Sequence, residues 1–504
     1  MNSSQAQSIE HIKKGPIIAA LLIGAFVAFL NQTLMNVALP NIMADLGITQ
    51  AATGQWLTTG YMLVNGVLIP VTAFLIARFT TRQLFISAMS LFSIGTLICA
   101  LAPSFAILMV GRLIQASGAG ILMPLMTVVF LNIFPIEKRG SAMGMMGIAM
   151  ILAPAIGPTL SGYIVEHYTW RVLFYIILPF AVIATLIGIF FLKNVTKVTK
   201  PKFDAISVIL STIGFGGLLY GFSDAGTDGW GSPQVIWTLV IGALALVAFV
   251  WRQMVSKVPM LEFRIFKYNM FTLTTIINVI VTMAMFAGMI LMPLFLQNIR
   301  GFTPMESGLM MLPGAILMGI MSPITGAIFD KIGARWLSVI GLVITVAMTY
   351  EFSHLTVTTS YAHMMTIYTV RMFGMSLMMM PIQTAGLNQL PRSMNAHGTA
   401  MSNTLRTISG SIGTAILVTV MTSQTKHYIT EGVKAGAAKA TDKAQMAALS
   451  AQSMVHGIND AFVIATWLSV AALILAFFIK KTKPQEENLK AEMQKVGGAA
   501  EMKG

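Results

Sequence analysis

The sequence predicts an all-α membrane protein with fourteen transmembrane helices, arranged as two six-helix bundles and an inserted helix pair. Three observations predict it. The 504-residue chain is 56% hydrophobic and only 10% charged, where a soluble protein of this size carries about 25% charged residues. Its apolar stretches form fourteen segments of spanning length, about 20 residues each. Three motifs of the first part also return in the last part at nearly the same spacing, the mark of an internal repeat.

In chain order, residues 1–14 form a tail ending in Lys13 and Lys14. A basic pair before an apolar run resembles a signal peptide, but this run ends in polar amides and Pro40 with no small-residue cleavage site. The first bundle, 15–192, holds segments at 16–39, 53–76, 83–102, 105–130, 140–163 and 170–192. The inserted pair, 204–223 and 235–252, lies within 193–268 between basic linkers. The second bundle, 269–480, holds 269–297, 306–328, 335–353, 361–386, 397–424 and 459–480. Its 425–458 stretch is expected as a long outer loop with one or two short helices, and 481–504 as a tail.

The repeats are "MPLMT" at 123–127 against "MPIQT" at 380–384, "FPIEKRGSA" at 134–142 against "LPRSMNAHGTA" at 390–400, and "AFLIARFTTRQLF" at 73–85 against "GAIFDKIGARWL" at 326–337. Two similar halves in one orientation point to a transporter, with its substrate site near the midplane between them.

The charges fix the orientation. Most of the 32 Lys and Arg fall in segments that share one side if both termini are cytoplasmic, while the short outer loops hold Arg171 and Arg300. This is the positive-inside pattern, so the net charge of +14 is a topology signal rather than a nucleic-acid footprint. The partners expected are a small-molecule substrate, protons and the lipid bilayer, with no nucleic acid, and the chain is expected as a monomer. Cys99 is the single cysteine, so no internal disulfide forms. The seven histidines are scattered, no metal-ligand spacing or GxxxxGK[ST] phosphate loop occurs, and neither an enzyme nor an ATP-driven pump is indicated. No cofactor or metal is expected.

The first helix raises the sharpest chemical question. "LNQTLMNVALPNI" at 30–42 places Asn31, Gln32, Thr33 and Asn36 inside an apolar helix. Gln32 and Asn36 share a helix face. The amides either line a watery cavity between the halves or bond neighbouring helices, at about 0.6 kcal/mol each.

These residues resemble the major facilitator superfamily, and within it the fourteen-helix drug:proton antiporter branch, most closely its lincomycin-resistance type of exporter. "LNQTLMNVALPNI" is similar to the branch's helix-1 signature, "GRLIQASGAGILMP" with Arg112 and Gln115 to its helix-4 motif, "GIAMILAPAIGPTLSGYI" to its antiporter motif, and "YTWRVLFYIILP" to the start of helix 6. The resemblance covers all fourteen helices. It implies the major facilitator fold and proton-coupled efflux of lipophilic drugs such as antibiotics across a bacterial plasma membrane. The alternative is export of an endogenous anionic metabolite, nucleotide or lipid.

In helix 5, Gly147, Pro154, Gly157, Pro158 and Gly162 read as a hinge or as close packing. In "GAIFDKIGARW", Asp330, Gly333 and Arg335 match the family's latch. The first-half copy keeps Arg78 and Arg82 but has Ala77 where the family has Asp and Thr80 where it has Gly. Trp56, Tyr61, Phe286, Gln297 and Gln383 join Asn31, Gln32, Asn36, Arg112 and Gln115 as candidate substrate contacts. The 39 methionines, dense at 282–292 and 372–381, suit an adaptable apolar pocket or simply stand in for leucine.

Arg112, Arg371 and Arg406 fall within spans. Arg371 and Arg406 are expected to reach towards an edge. The resemblance implies an acid where this chain has Asn31, which cannot titrate. The acids of the spans lie near helix ends, at Asp224, Glu306 and Glu351. Asp224 is the first choice for the proton carrier and Glu306 the second; the remaining route is a water chain to Arg112. The shortage of acids disfavours permanently cationic substrates.

Overall fold

The computed structural model describes residues 14–48, 51–196, 198–199, 204–225, 229–257, 259–435 and 442–480. Among them are fourteen long helices and no strand: α1 Lys14–Asp45, α2 Ala51–Arg78, α3 Thr81–Ala100, α4 Phe105–Ile133, α5 Arg139–His167, α6 Arg171–Phe191, α7 Ala205–Ala225, α8 Pro233–Val255, α9 Asn269–Leu294, α10 Pro304–Ile332, α11 Ala334–Glu351, α12 Tyr361–Asn388, α13 Asn395–Lys434 and α14 Lys443–Ala476. Twelve are long and apolar enough to cross a membrane. The other two, α5 and α12, have the length, 29 and 28 residues, but are less apolar, α5 through its glycines and α12 through its polar residues.

The halves repeat one packing order. In the first, α1 packs on α5 and α6, α2 on α4, and α3 on α4 and α6. In the second, α9 packs on α13 and α14, α10 on α12, and α11 on α12 and α14. Small residues permit this. A methyl at Gly95 would lie 2.5 Å from the Gln115 nitrogen, and one at Gly118 would lie 2.2 Å from the Ala88 carbonyl, so α3 and α4 meet backbone to backbone. In the second half, Gly341 and Gly374 bring α11 and α12 together in the same way. The outer faces of α6, α8 and α14 expose large apolar side chains such as Phe190, Trp251 and Trp467, the surface a bilayer covers.

The bundles meet mainly through α5 and α10. A methyl at Gly326 would lie 2.1 Å from the Gly140 carbonyl, and one at Gly144 would lie 2.5 Å from the Ser322 carbonyl. The second contact, α2 with α13, is smaller, and α7 packs against both of those helices.

The 425–458 stretch departs from expectation. Instead of separate short helices, α13 continues to Lys434 and α14 begins at Lys443. The Ala- and Lys-rich sequence favours helix, and the extensions hold each other through Gly457 against Met421 and Thr425, Gly432 against Leu449, and a ring contact of 4.9 Å between Tyr428 and His456.

The inserted pair is stapled at one end. Arg252 in the last turn of α8 donates to both oxygens of Asp204 at 3.0 Å. Ser207 donates to Asp204 at 2.6 Å, and Gln253 donates to Ser207 at 2.7 Å. Burial pushes the Asp204 carboxyl up, but the hydrogen bonds from Arg252 and Ser207 outweigh it and hold the group at about 2. An unfolded Asp titrates near ~3.9, so the stabilisation is complete above that pH and is lost as pH falls towards the folded value. Because the pair is part-exposed, Asp204→Asn should cost about 1 kcal/mol at neutral pH. Melting curves in detergent should show the gap to wild type closing between about pH 5 and pH 2.

Candidate functional site

Arg112 is fully buried inside the first bundle. Its Nε donates to the Leu57 carbonyl of α2 at 3.3 Å, and its Nη1 donates to Gln115 Oε1 at 2.8 Å. Gln115 in turn donates to Thr96 on α3 at 2.7 Å, a reach that the close α3–α4 packing allows. The guanidinium lies 4.1 Å from the centre of the Tyr61 ring, a cation–π contact in a site shielded from water. Asn31 lies alongside Tyr61. Arg112 Nη2 is buried without a partner among the described residues, and the Tyr61 hydroxyl and Asn31 Nδ2 find none beyond their contact with each other. The structure therefore unites Asn31, Tyr61, Arg112 and Gln115 in one polar core within a bundle.

The other candidates lie elsewhere. Gln32 is half-buried, and the Asn36 and Pro158 side chains lie outside the described residues, as does that of Pro154. Trp56 stacks on Tyr220 of α7 with centroids 5.6 Å apart. Phe286 packs against Gly410 of α13. Gln297 is exposed past the end of α9, and Gln383 is buried in α12. Helix α5 continues through positions 154 and 158. Gly157 faces Thr33, where a methyl would come within 2.2 Å of its Oγ1, and Gly162 faces Met305 of α10.

The expectation that Arg371 reaches an edge is corrected: it is fully buried. Its Nε donates to Thr349 of α11 and its Nη2 to the Ala284 carbonyl of α9, both at 3.0 Å. Gly288 leaves the room it needs, since a methyl there would sit 2.4 Å from Nη1. Each bundle thus holds one buried arginine on its fourth helix, linked to a threonine on its third. The Thr96 and Thr349 partners gave no sequence signal of their own.

The two bundles are fastened where α5 begins. Asp330 accepts from the Gly140 and Ser141 amides at 2.8 and 3.0 Å and from the Ser141 hydroxyl at 2.9 Å. A carboxylate on the free amides of a helix start is stabilised by both the hydrogen bonds and the helix dipole. Beside it, Arg139 donates to Asn388 of α12 at 3.1 Å and to the Leu131 carbonyl at 2.8 Å. Gly333 has φ +85° and makes the turn into α11. Arg335 lies over Trp336.

The first-half copy is built differently. Thr80 caps α3 with Gln83 in a reciprocal capping box. Arg82 donates to the Ile189 carbonyl at 2.5 Å, and the Ala77 carbonyl accepts from Thr199 in the linker at 2.9 Å. The repeat pairs Ser141 with Thr399, and the Thr399 hydroxyl and both polar atoms of Asn395 are buried without partners among the described residues. Where Asp330 caps α5, the Ala77 position supplies no acid for α13.

The acids resolve as follows. Glu306 is the third residue of α10 in a capping box, accepting from the Thr303 amide at 2.8 Å. Glu351 pairs with His363 at 3.6 Å. Asp224 is half-buried one residue before the end of α7. Asp460 of α14, the second residue of the 459–480 segment and not among the acids expected to carry the proton, accepts from Tyr428 at 3.3 Å.

Two bundles of matching topology, joined along a glycine seam and crossed by apolar helices, define a membrane transporter. The Major Facilitator Superfamily profile matches residues 21–414, and the chain belongs to that family, whose members are transporters rather than enzymes. It is 50% identical to the MFS-type transporter YhcA of Bacillus subtilis (strain 168) over 93% of both chains. It is 44% identical to the lincomycin resistance protein LmrB of Listeria monocytogenes serovar 1/2a over 95% of this chain and 99% of that one. The crystal structure of the human organic anion transporter MFSD10 superposes with a TM-score of 0.60, at 12% identity over 91% of this chain and 99% of that one; at that identity the likeness speaks to the fold alone.

Asp330→Asn should weaken the fastening by about 1–2 kcal/mol and lower the melting temperature in detergent. Adding Ala77→Asp should recover part of the loss, because Thr399 and the start of α13 then gain the acceptor that α5 has lost.

Proposed function

We propose that this protein exports lipophilic drugs across a bacterial plasma membrane by alternating access, driven by inward protons, with both termini cytoplasmic. The observation that carries the reading is the pair of equivalent bundles meeting along α5–α10 and held at one end by Asp330 on the start of α5. Such a contact can be made and broken as one bundle rocks against the other. The printed names of relatives, lincomycin resistance at 44% identity and multidrug export at 30% for the Escherichia coli (strain K12) protein, support drugs as the cargo. Helices α5 and α12 complete fourteen crossings in this reading, lower in hydropathy because they are packed among other helices.

Export of an endogenous anionic compound is the second reading. It is favoured by the buried guanidiniums of Arg112 and Arg371, which are held by carbonyls, an amide and a hydroxyl rather than by acids. Quaternary ammonium compounds should accordingly be poor substrates.

Asp224, half-buried in the last turn of α7, is the proton carrier in this proposal. In everted vesicles with an imposed pH gradient, Asp224→Asn should lower gradient-driven uptake at least about tenfold, the scale of a lost proton-transfer group. Glu306→Gln should change uptake less than about twofold, because Gln serves a capping box as Glu does. The reverse pattern would move the proton to Glu306, and uptake indifferent to the gradient in the wild type would remove proton coupling.

A further inference from the structure

Arg406 sits well inside α13, as its twelfth residue. Unlike Arg112 and Arg371, which are fully buried, it is half-buried. It makes no hydrogen bond or ion pair among the described residues, and no charged side chain lies near enough to offset it. Its neighbours on α13 meet both the other bundle and their own. Thr407 is against Gly66 of α2, and Gly410 and Gly413 are against Phe286 and Met283 of α9.

One turn earlier on the same face is Asn403. It is 3% exposed, and both its Nδ2 and Oδ1 are unpartnered among the described residues. At about 100° per residue the two positions lie within about 60° of each other around α13. The apolar Phe286 and Met283 continue that face one to two turns further on. Of the helices packed on α13, α2, α4, α9 and α12 contain no Asp or Glu, nor does α13 itself before Glu431. The acids on the other two, Asp224 in the last turn of α7 and Asp460 of α14, which is bonded to Tyr428, do not act on Arg406. This guanidinium therefore lacks the counter-charge that an ion removed from water needs.

We infer that Arg406 and Asn403 form a binding site for the acidic group of an amphiphilic anion, a carboxylate or a phosphate, whose apolar body rests on Phe286 and Met283. The inference rests on the transport reading above and assigns that transporter a substrate class. A guanidinium offers two parallel N–H donors to a planar carboxylate or to phosphate. The Asn403 amide adds a donor. The methionine and the aromatic ring accept varied apolar shapes. Buried, unsatisfied amide atoms beside an unpaired cation are what such a site shows before its ligand arrives.

Binding is tested apart from transport. The full-length protein in detergent is titrated with a lipophilic carboxylate dye and with its methyl ester, reading thermal stabilisation and tryptophan fluorescence. The wild type should bind the acid at least tenfold tighter than the ester. Arg406→Gln should erase that preference while leaving ester affinity within twofold, and Arg406→Lys should keep part of it. Asn403→Asp, which gives Arg406 an internal partner at i, i+3, should raise the melting temperature and abolish acid binding. The same titration with a lipophilic phosphate monoester separates the two acidic groups.

Equal affinity of the wild type for acid and ester overturns the site, as does an acid preference that survives in Arg406→Gln. A parallel loss of acid and ester binding in a monodisperse Arg406→Gln protein also overturns it, by showing that the residue only supports the fold. If the acid binds as expected but reconstituted vesicles do not move it, the site stands and the export reading fails.

Discussion

A guanidinium cannot shed its proton inside a membrane protein, so everything around it must adapt. Arg112 is held by a helix carbonyl, by Gln115 and by the face of Tyr61, and Arg371 by another carbonyl and Thr349, each with one nitrogen left unpartnered among the described residues. Neither has a carboxylate. This solution works only where helices approach closely enough for a carbonyl and a short hydroxyl to reach the charge. The glycine contacts at 95, 111, 118, 288, 341 and 374 are thus conditions of the electrostatics as much as of the packing. Larger residues at those positions would push α3 and α4, or α11 and α12, apart, or at Gly288 displace Arg371 itself, and the arginines would lose their partners.

The two halves share a packing order but differ in chemistry. Asp330 joins the second bundle to the first through the free amides of α5, while the equivalent position, Ala77, is tied to the linker that leads to the inserted pair. The seam between the bundles is therefore strong along α5–α10 and weaker along α2–α13, where α13 keeps buried polar atoms without partners among the described residues. A twofold-related scaffold has been given one firm edge and one yielding edge.

Much of this was legible in the sequence. Apolar run length located the helices, and the repeated motifs gave the two bundles, because both follow from local composition. The Asp330 contact was foreshadowed by "GAIFDKIGARW", but its acceptor role at Gly140 and Ser141 was not, since those residues lie far away in the chain. Thr80 read as a departure from pattern and proved to be an ordinary helix cap, because Gln83 three residues on supplies the reciprocal bond. The long α13–α14 extensions were hidden by their polarity, which says where a helix leaves the bilayer and not where it stops. Arg371 was misplaced because hydropathy cannot tell a residue facing neighbouring helices from one near an edge.

Helix α7 touches both α2 and α13, with Tyr220 stacked on Trp56, while Trp230 just beyond it donates to Thr419. A solute already dissolved in the bilayer meets a wall at this flank rather than a doorway. In the export reading, passage between leaflet and interior is thereby pushed to other flanks or to the aqueous mouths, and a widening of the α2–α13 gap carries the inserted pair along with it.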